Sequence, residues 1–414
     1  LRFTVAETAV FLQEVMGLNL TKDQIAALET RTEGWIAGLQ MAALSMRGQD
    51  DLSGFVQSFT GSHRFVLDYL LEEVLNQQPE EVQTFLLKTA VLNRLAGSLC
   101  DALTGDDDGQ EMLESLDRAN LFLVPLDNER RWYRYHHLFA ELLQQRLQQE
   151  AEKFDLPELH IRASKWYEDN GLEIDAIQHA AAAKDVERVA DLLELAWPTM
   201  DRTYQSTAWL GWAKTVPDEI VRTRPVLGMA YAWAFLNEGD MAAADVHLRD
   251  VEQRLQQPSP KIVIVDEEQF QWLPATIASA RAYHAQMLGD TPGTMKYAQQ
   301  ALDLLPEDDY FKRFPAMMLL GLMYWGQGEL DTAYQFVDDA MSIFQKAGQF
   351  VFAIGGTFCL ASMRIAQGRL QDAVSIYERA LQLALAQGDS AIPGTADLYL
   401  GLAGLHHERG NVEE

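Results

Sequence analysis

Cysteine is nearly missing: 414 residues hold two, Cys100 and Cys359, far apart on apolar segments and in no spaced motif. That excludes a disulfide framework and a cysteine-built zinc site, and it suits a reduced cytoplasmic protein. Basic residues are also few, 33 against 61 acidic, and the net charge of −28 repels nucleic acid and anionic membranes. No apolar run reaches the roughly 18 residues of a membrane helix, and the first ten residues, LRFTVAETAV, lack the basic n-region and apolar core of a leader. No Gly-x-x-x-x-Gly-Lys-Ser/Thr loop, dinucleotide glycine motif or nucleophile elbow is present. His406 and His407 are adjacent, so one helix cannot aim both at one metal, and acidic pairs such as Glu72 with Glu73 or Asp338 with Asp339 have the spacing of solvated faces. No catalytic residue and no metal ligand set is therefore expected. The missing initiator methionine, and a repeat cut off at Glu414, imply a piece of a longer protein at both ends.

What the chain does have is a repeat. Around Gly328, Leu320, Gly321 and Tyr324 precede the turn, and Ala333, Val337 and Ala340 follow it. Gly368 repeats the frame with Leu360 and Ala361 before it and Ala373, Tyr377 and Ala380 after it. Earlier copies surround Gly289 and Gly239, and a last one opens at Leu402, Ala403 and Gly410, so the turn glycines are spaced 50, 39, 40 and 42. Small residues at two fixed positions let paired helices approach, and stacked pairs share one core that no single pair could close. The fold class is mainly α, with a tetratricopeptide-like solenoid over 225–414.

Before the repeats, Thr4 with Glu7 and Thr21 with Gln24 have capping-box spacing, ahead of helices over 9–16 and after 21. A third helix is predicted from Thr32 to Met46, making 1–48 a small three-helix unit. Helices are predicted at Phe65–Asn76, at Glu80–Leu92 with Pro79 as first helical residue, at Leu99–Leu103 and at Glu111–Ala119. Then the period changes: Leu121 to Leu126 face Trp132 to Tyr135 across Asp127–Arg131, a β-hairpin signal, and a helix returns at Leu138–Gln149. Helices, hairpin and helix make 49–150 a winged-helix domain. Residues 151–224 read as a helical arm, and 255–273, with two prolines and IVIV, as an exposed loop inserted into one repeat.

Three features invite ligands. Arg130, Arg131 and Arg134 with Trp132 and Tyr133 form a basic, aromatic wing, but three arginines neutralise few phosphates against this net charge, and a structural contact is favoured. His136 and His137 stand at a helix start, where backbone amides suit a phosphate; hydrogen bonding within the domain is the alternative. On the solenoid's inner wall, counting back from each turn glycine places Met229, Trp233 and Asn237, then Ser279, Tyr283 and Gln286, then Met318, Leu322 and Trp325. Of these Trp233, Asn237, Tyr283, Gln286 and Trp325 suit a small polar ligand or a peptide, and repeat-to-repeat filling is the alternative.

The blocks TEGWIAGLQMAALSMRG, RFVLDYLLEEVLNQQPEEVQTFLLKTAVL, LDRANLFLVPLDNERRWYRYHHLF and KWYEDNGLEIDAIQHAAAAKD, in this order, resemble the MalT-like branch of LuxR-type transcriptional regulators. These are signal-transduction ATPases with numerous domains (STAND): a P-loop module, a winged helix, an arm, a repeat sensor and a C-terminal helix-turn-helix. The resemblance implies that 1–48 is the helical lid remnant of the nucleotide-binding module and that DNA is bound only through a domain after Glu414. It implies a parent that binds ATP or ADP, self-associates, and takes a small-molecule inducer or protein effector on the solenoid, while this piece alone holds no cofactor. A helical-repeat scaffold without a small-molecule effector is the alternative. Related proteins carry a Met-His-Asp motif whose histidine reaches the nucleotide's β-phosphate; Tyr135-His136-His137 aligns with it, which places that role on His136. Their Gly-x-Pro lid motif stands here as Gly34-Trp35-Ile36, without the proline, and no adenine contact is carried over.

Overall fold

A computed structural model describes residues 2–46, 52–58, 70–119, 121–203, 205–256, 262–346, 350–386 and 394–408. The chain divides into two compact units, Leu1–Leu192 and Leu193–Glu414. The start of the predicted Phe65–Asn76 helix, over 65–69, and Gly410 lie outside the described residues. Among the described residues no helix is long and apolar enough to cross a membrane.

In the first unit both capping boxes form. Thr4 accepts from the Glu7 amide at 3.3 Å while Glu7 accepts from the Thr4 amide at 2.9 Å, and Thr21 with Gln24 repeats the exchange at 3.3 and 2.9 Å. The helices are Val5–Val10, running into a π-turn Phe11–Val15, then Lys22–Thr32 and Ile36–Met46. The third starts four residues later than predicted, because Glu33 (φ 47°) and Gly34 (φ 67°) turn left-handed and stop the second. A Cβ on Gly34 would lie 2.1 Å from the Phe3 carbonyl oxygen, so this turn needs glycine.

The winged-helix region has helices Glu80–Thr89, Gly97–Thr104 and Gly109–Arg118, with Pro79 as N-cap rather than first helical residue. Strands β1, Leu123–Pro125, and β2, Tyr133–Tyr135, pair antiparallel with Leu123 opposite Tyr135 and Pro125 opposite Tyr133. Leu95 exchanges both backbone bonds with Tyr133, at 2.7 and 2.9 Å. Tyr133 and Phe139 are fully buried, and the Tyr135 hydroxyl meets Thr89 Oγ1 at 2.7 Å, anchoring the hairpin on the helices. Helix His137–Gln149 follows, then Leu156–Asp169, Glu173–Ala182 and Val186–Arg202.

The second unit stacks antiparallel helix pairs: Pro225–Glu238 with Met241–Gln256, Leu273–Met287 with Thr291–Leu304, Tyr310–Gly326 with Leu330–Lys346, and Thr357–Ala366 with Leu370–Leu385. The turn glycines 239, 289, 328 and 368 all have positive φ, between 72° and 83°. Ala232, Ala244, Ala298, Ala333, Ala361 and Ala373, at the small positions of the repeat, are wholly buried. A Cβ on Gly321 would lie 2.8 Å from Val337 Cγ2, which measures how closely that pair approaches. Between pairs, Arg281 bonds Asp245 and Glu252 at 2.6 Å each. The predicted loop 255–273 carries a short helix instead: Asp266 accepts from the amides of Glu268 and Gln269 and starts Glu267–Gln271.

Candidate functional site

In the first unit, the left-handed turn after Lys22–Thr32 aims Glu33 at the β-hairpin. Arg134 on β2 grips its carboxylate with both terminal nitrogens, at 2.8 and 3.0 Å, and His137 Nδ1 lies 2.8 Å from the same Oε1. Burial works to raise the Glu33 pKa, but the hydrogen bonds from His137 and Arg134 outweigh it and hold the carboxyl well below the usual range. His136 is 3% exposed; its Nε2 lies 2.9 Å from the Thr32 carbonyl oxygen. It is boxed by His137 (ring centroids 5.0 Å, stacked), Phe122 (5.9 Å) and Trp35 (6.2 Å), the last two edge-on.

That geometry settles the tautomer. A carbonyl only accepts, so Nε2 carries the hydrogen and Nδ1 keeps its lone pair, buried and without a hydrogen-bond partner among the described residues. Burial pulls the ring's pKa down to about 4, against the opposing pull of Glu33 and the Thr32 bond, so His136 is neutral at pH 7. The sequence placed His136 at a helix start, and it is the N-cap of His137–Gln149, though its side chain makes no capping bond. Glu33, His136 and His137 each offer one ligand atom within 4.8 Å of the others. With the Arg134 guanidinium on the same carboxylate, a cation there would meet like charge; the cluster is a charged latch between helix and hairpin.

The wing is already neutralised. Arg130 pairs with Asp117 at 3.2 Å, Arg131 with Glu129 at 2.6 Å, and Arg134 with Glu33. Trp132 stacks instead under Arg94, 4.6 Å from ring centre to guanidinium carbon.

In the second unit, Trp233 and Tyr283 meet with ring centroids 6.1 Å apart, both half-buried on one core cluster with Met229. Ser279 is buried. Asn237 is exposed and donates to Asp201 at 2.8 Å and Ser206 at 3.1 Å. Gln286 is half-buried, and Trp325 packs on a separate cluster. Trp233 alone of these candidates, with Met229, lines a cavity of about 150 Å³. Trp197 and Trp272 form its other aromatic walls, and Glu268 and Lys312 its charged rim. Sequence reasoning missed Trp197, Trp272 and Lys312. Asp266 ahead of two glutamates and a glutamine was the available signal that the inserted segment holds a helix.

The chain thus carries a winged-helix region in its first unit and a stack of helical hairpins in its second. Residues 71–154 match the MalT winged helix domain, and residues 275–414 match the MalT-like TPR region. The chain is 30% identical over 399 residues to the HTH-type transcriptional regulator MalT of Yersinia pestis, covering 95% of this chain and 43% of that protein. It is 36% identical over 234 residues to the serine/threonine-protein kinase PknK of Mycobacterium tuberculosis, 56% of this chain and 21% of that one. A solved STAND protein with a tetratricopeptide repeat sensor, from Pyrococcus horikoshii, shares the fold over 99% of this chain and 57% of its own, with TM-score 0.60 and 15% identity. The winged-helix and repeat domains of this chain are MalT-like, and the chain spans less than half the length of these two curated relatives.

Proposed function

We propose that this chain is the regulatory and effector-sensing region of an ATP-dependent, cytoplasmic LuxR-type transcriptional activator, with no catalytic activity of its own. The latch carries the proposal. Glu33 and Thr32 belong to the helical unit that the family resemblance makes the tail of the nucleotide-binding module, and Arg134, His136 and His137 belong to the winged helix. Their bonds hold the two elements together, as a closed, non-associating state requires.

His136 would report the nucleotide through this latch. A phosphate offers only acceptors, and neutral His136 presents only a lone pair at Nδ1, so contact demands either a proton on the ring or loss of the Thr32 bond. Each changes the junction, which couples nucleotide state to docking of the winged helix and thereby to self-association. The effector, a small molecule or a protein, would act on the solenoid; the aromatic cavity at Trp233 favours a small molecule over a scaffold role. DNA would be met only through a further domain of the parent.

Replacing His136 with alanine in the full-length parent tests the switch: nucleotide affinity and basal transcription should both change, and if neither moves, the role is wrong. For the effector, thermal unfolding of this chain against a metabolite panel should show a stabilising compound, by mass action. Its effect should vanish in Trp233→Ala, whereas Trp325→Ala, on a separate cluster, should leave it. A set of compounds with no effect would shift the reading to a protein partner.

A further inference from the structure

The cavity at Trp233 has walls from five segments of the second unit, helix Leu273–Met287 among them through Thr276. Trp197 comes from Val186–Arg202, where it meets Trp209 edge-on with centroids 5.0 Å apart, and Trp209 is itself fixed by an Nε1–H bond to the Leu193 carbonyl at 2.9 Å. Trp233 comes from Pro225–Glu238, Trp272 and Glu268 from the inserted connector, and Lys312 from Tyr310–Gly326. Its polar groups are mostly engaged. Thr276 donates to the Trp272 carbonyl at 3.1 Å, and the Gln269 amide donates to Asp266 at 3.1 Å. A neutral polyol would therefore find few free partners. An anion would face the Glu268 carboxylate.

One cation is already bound there. The Lys312 ammonium stands 5.4 Å from the Trp272 ring centre, 2.7 Å from Asp309 Oδ2 and 3.3 Å from Glu268 Oε1. Among the described residues lining the cavity it is the single cation and Glu268 the single carboxylate, beside three indoles, while Asp309 holds the ammonium from outside the lining; with the ammonium swung away, the two carboxylates are left facing this site. Its side chain is 38% exposed, on a flexible stem that can swing to water. We propose that this cavity binds a small organic ammonium ion, about one ring in size, which displaces the Lys312 ammonium from the Trp272 face. The proposal rests on the reading of the solenoid as effector-binding and names the ligand class. An alkylated ammonium sheds its water more readily than the lysine ammonium and gains more on an aromatic face. A cavity of about 150 Å³ holds a group the size of benzene. Displacement would also cut the Lys312–Glu268 pair, which ties the connector helix to the following repeat, and so gives binding a structural consequence.

The test uses the 414-residue chain, with choline as probe and 3,3-dimethylbutan-1-ol as its neutral isostere, at matched ionic strength, read by calorimetry and thermal unfolding. Choline should raise the melting temperature and bind about tenfold more tightly than the alcohol. Trp272→Leu should abolish this. Glu268→Gln, at an exposed rim position that leaves the fold intact, should weaken it severalfold. Lys312→Met, which removes the competing ammonium, should tighten choline binding. Equal binding of the alcohol, or weaker choline binding by Lys312→Met, overturns the ammonium class. If choline fails while another compound stabilises the chain through Trp233, the ligand class is wrong and the solenoid remains the effector site; if nothing binds, the ligand class and the small-molecule reading both fall in favour of a protein partner.

Discussion

Glu33→Gln isolates the latch with little change of shape. In the native state the carboxylate takes a two-point fork from Arg134 at 2.8 and 3.0 Å and a bond from His137 at 2.8 Å, with Arg2 at 3.8 Å. Charge-assisted bonds of this kind are worth about 1.5–3 kcal/mol each where buried. The Glu33 side chain is only 16% exposed, but Arg134 and His137 are each 34% exposed, so solvent screens part of this. The glutamine oxygen would keep one neutral bond, and a net loss of about 2 kcal/mol is expected, or roughly 30-fold in the opening equilibrium. Native-state hydrogen exchange reads it at the Phe3 amide, bonded to the Gly34 carbonyl at 2.8 Å, and at the His136 amide, bonded to Phe122 at 2.7 Å. Both should exchange about 30-fold faster, while amides of the Pro225–Glu238 helix should not change. Glu129→Gln is the control, since that pair with Arg131 is 66% and 75% exposed and should contribute under about 0.5 kcal/mol. If Glu33→Gln does no more than Glu129→Gln, the latch is not what holds the hairpin against the helix.

Acid should weaken the first unit before its carboxylates protonate. Burial pulls His136 and His179 down to about 4 in the fold, against about 6.5 unfolded, and His179 Nδ1 also meets His160 Nδ1 at 2.9 Å, an arrangement that needs one nitrogen bare. Lowered histidine pKa values leave stability full above pH 6.5 and erode it toward pH 4, by about 2 kcal/mol per ring at pH 5; urea unfolding at pH 7 and 5 measures this, and His179→Gln should remove its share. Glu33, depressed in the fold, should add its own loss only as pH falls below the ordinary carboxylate range. In the repeats, Gly321→Ala should cost about 1–3 kcal/mol by pressing on Val337. Gly211→Ala, within the exposed face of Ser206–Ala213 with nothing nearby, should gain about 0.5–1 kcal/mol, both by thermal unfolding. Duplex DNA should show no measurable affinity for this chain at physiological salt, and Arg130→Ala with Arg131→Ala should change nothing, because both arginines are already ion-paired.

The repeats were legible because small residues at Ala232, Ala244, Ala333 and Ala373 and a left-handed glycine after each first helix are local necessities of close helix pairing, and they leave a periodic trace. The two capping boxes and the β-hairpin were legible for the same reason: each is complete within about a dozen residues. Where partners come from distant segments, the trace disappears. Nothing near Glu33 in the chain announces that its carboxylate will meet Arg134 and His137 some hundred residues on, and the turn that presents it looked like more helix, since a left-handed glutamate has no sequence signature. The cavity shows the same limit from the other side. Trp233 is reached by the repeat register, whereas Trp197 precedes the register, Trp272 follows an insertion that breaks it, and Lys312 falls outside the wall positions counted from the turn glycines. A ligand site in a repeat protein is therefore most visible where it obeys the period, and in this chain it is completed where the period fails, at the 50-residue unit whose extra segment supplies both an indole wall and a carboxylate. Deleting that insertion down to the ordinary spacing should leave the stacked pairs folded and remove choline binding, which thermal unfolding with and without the probe would separate; binding that survives the deletion would place the ligand elsewhere.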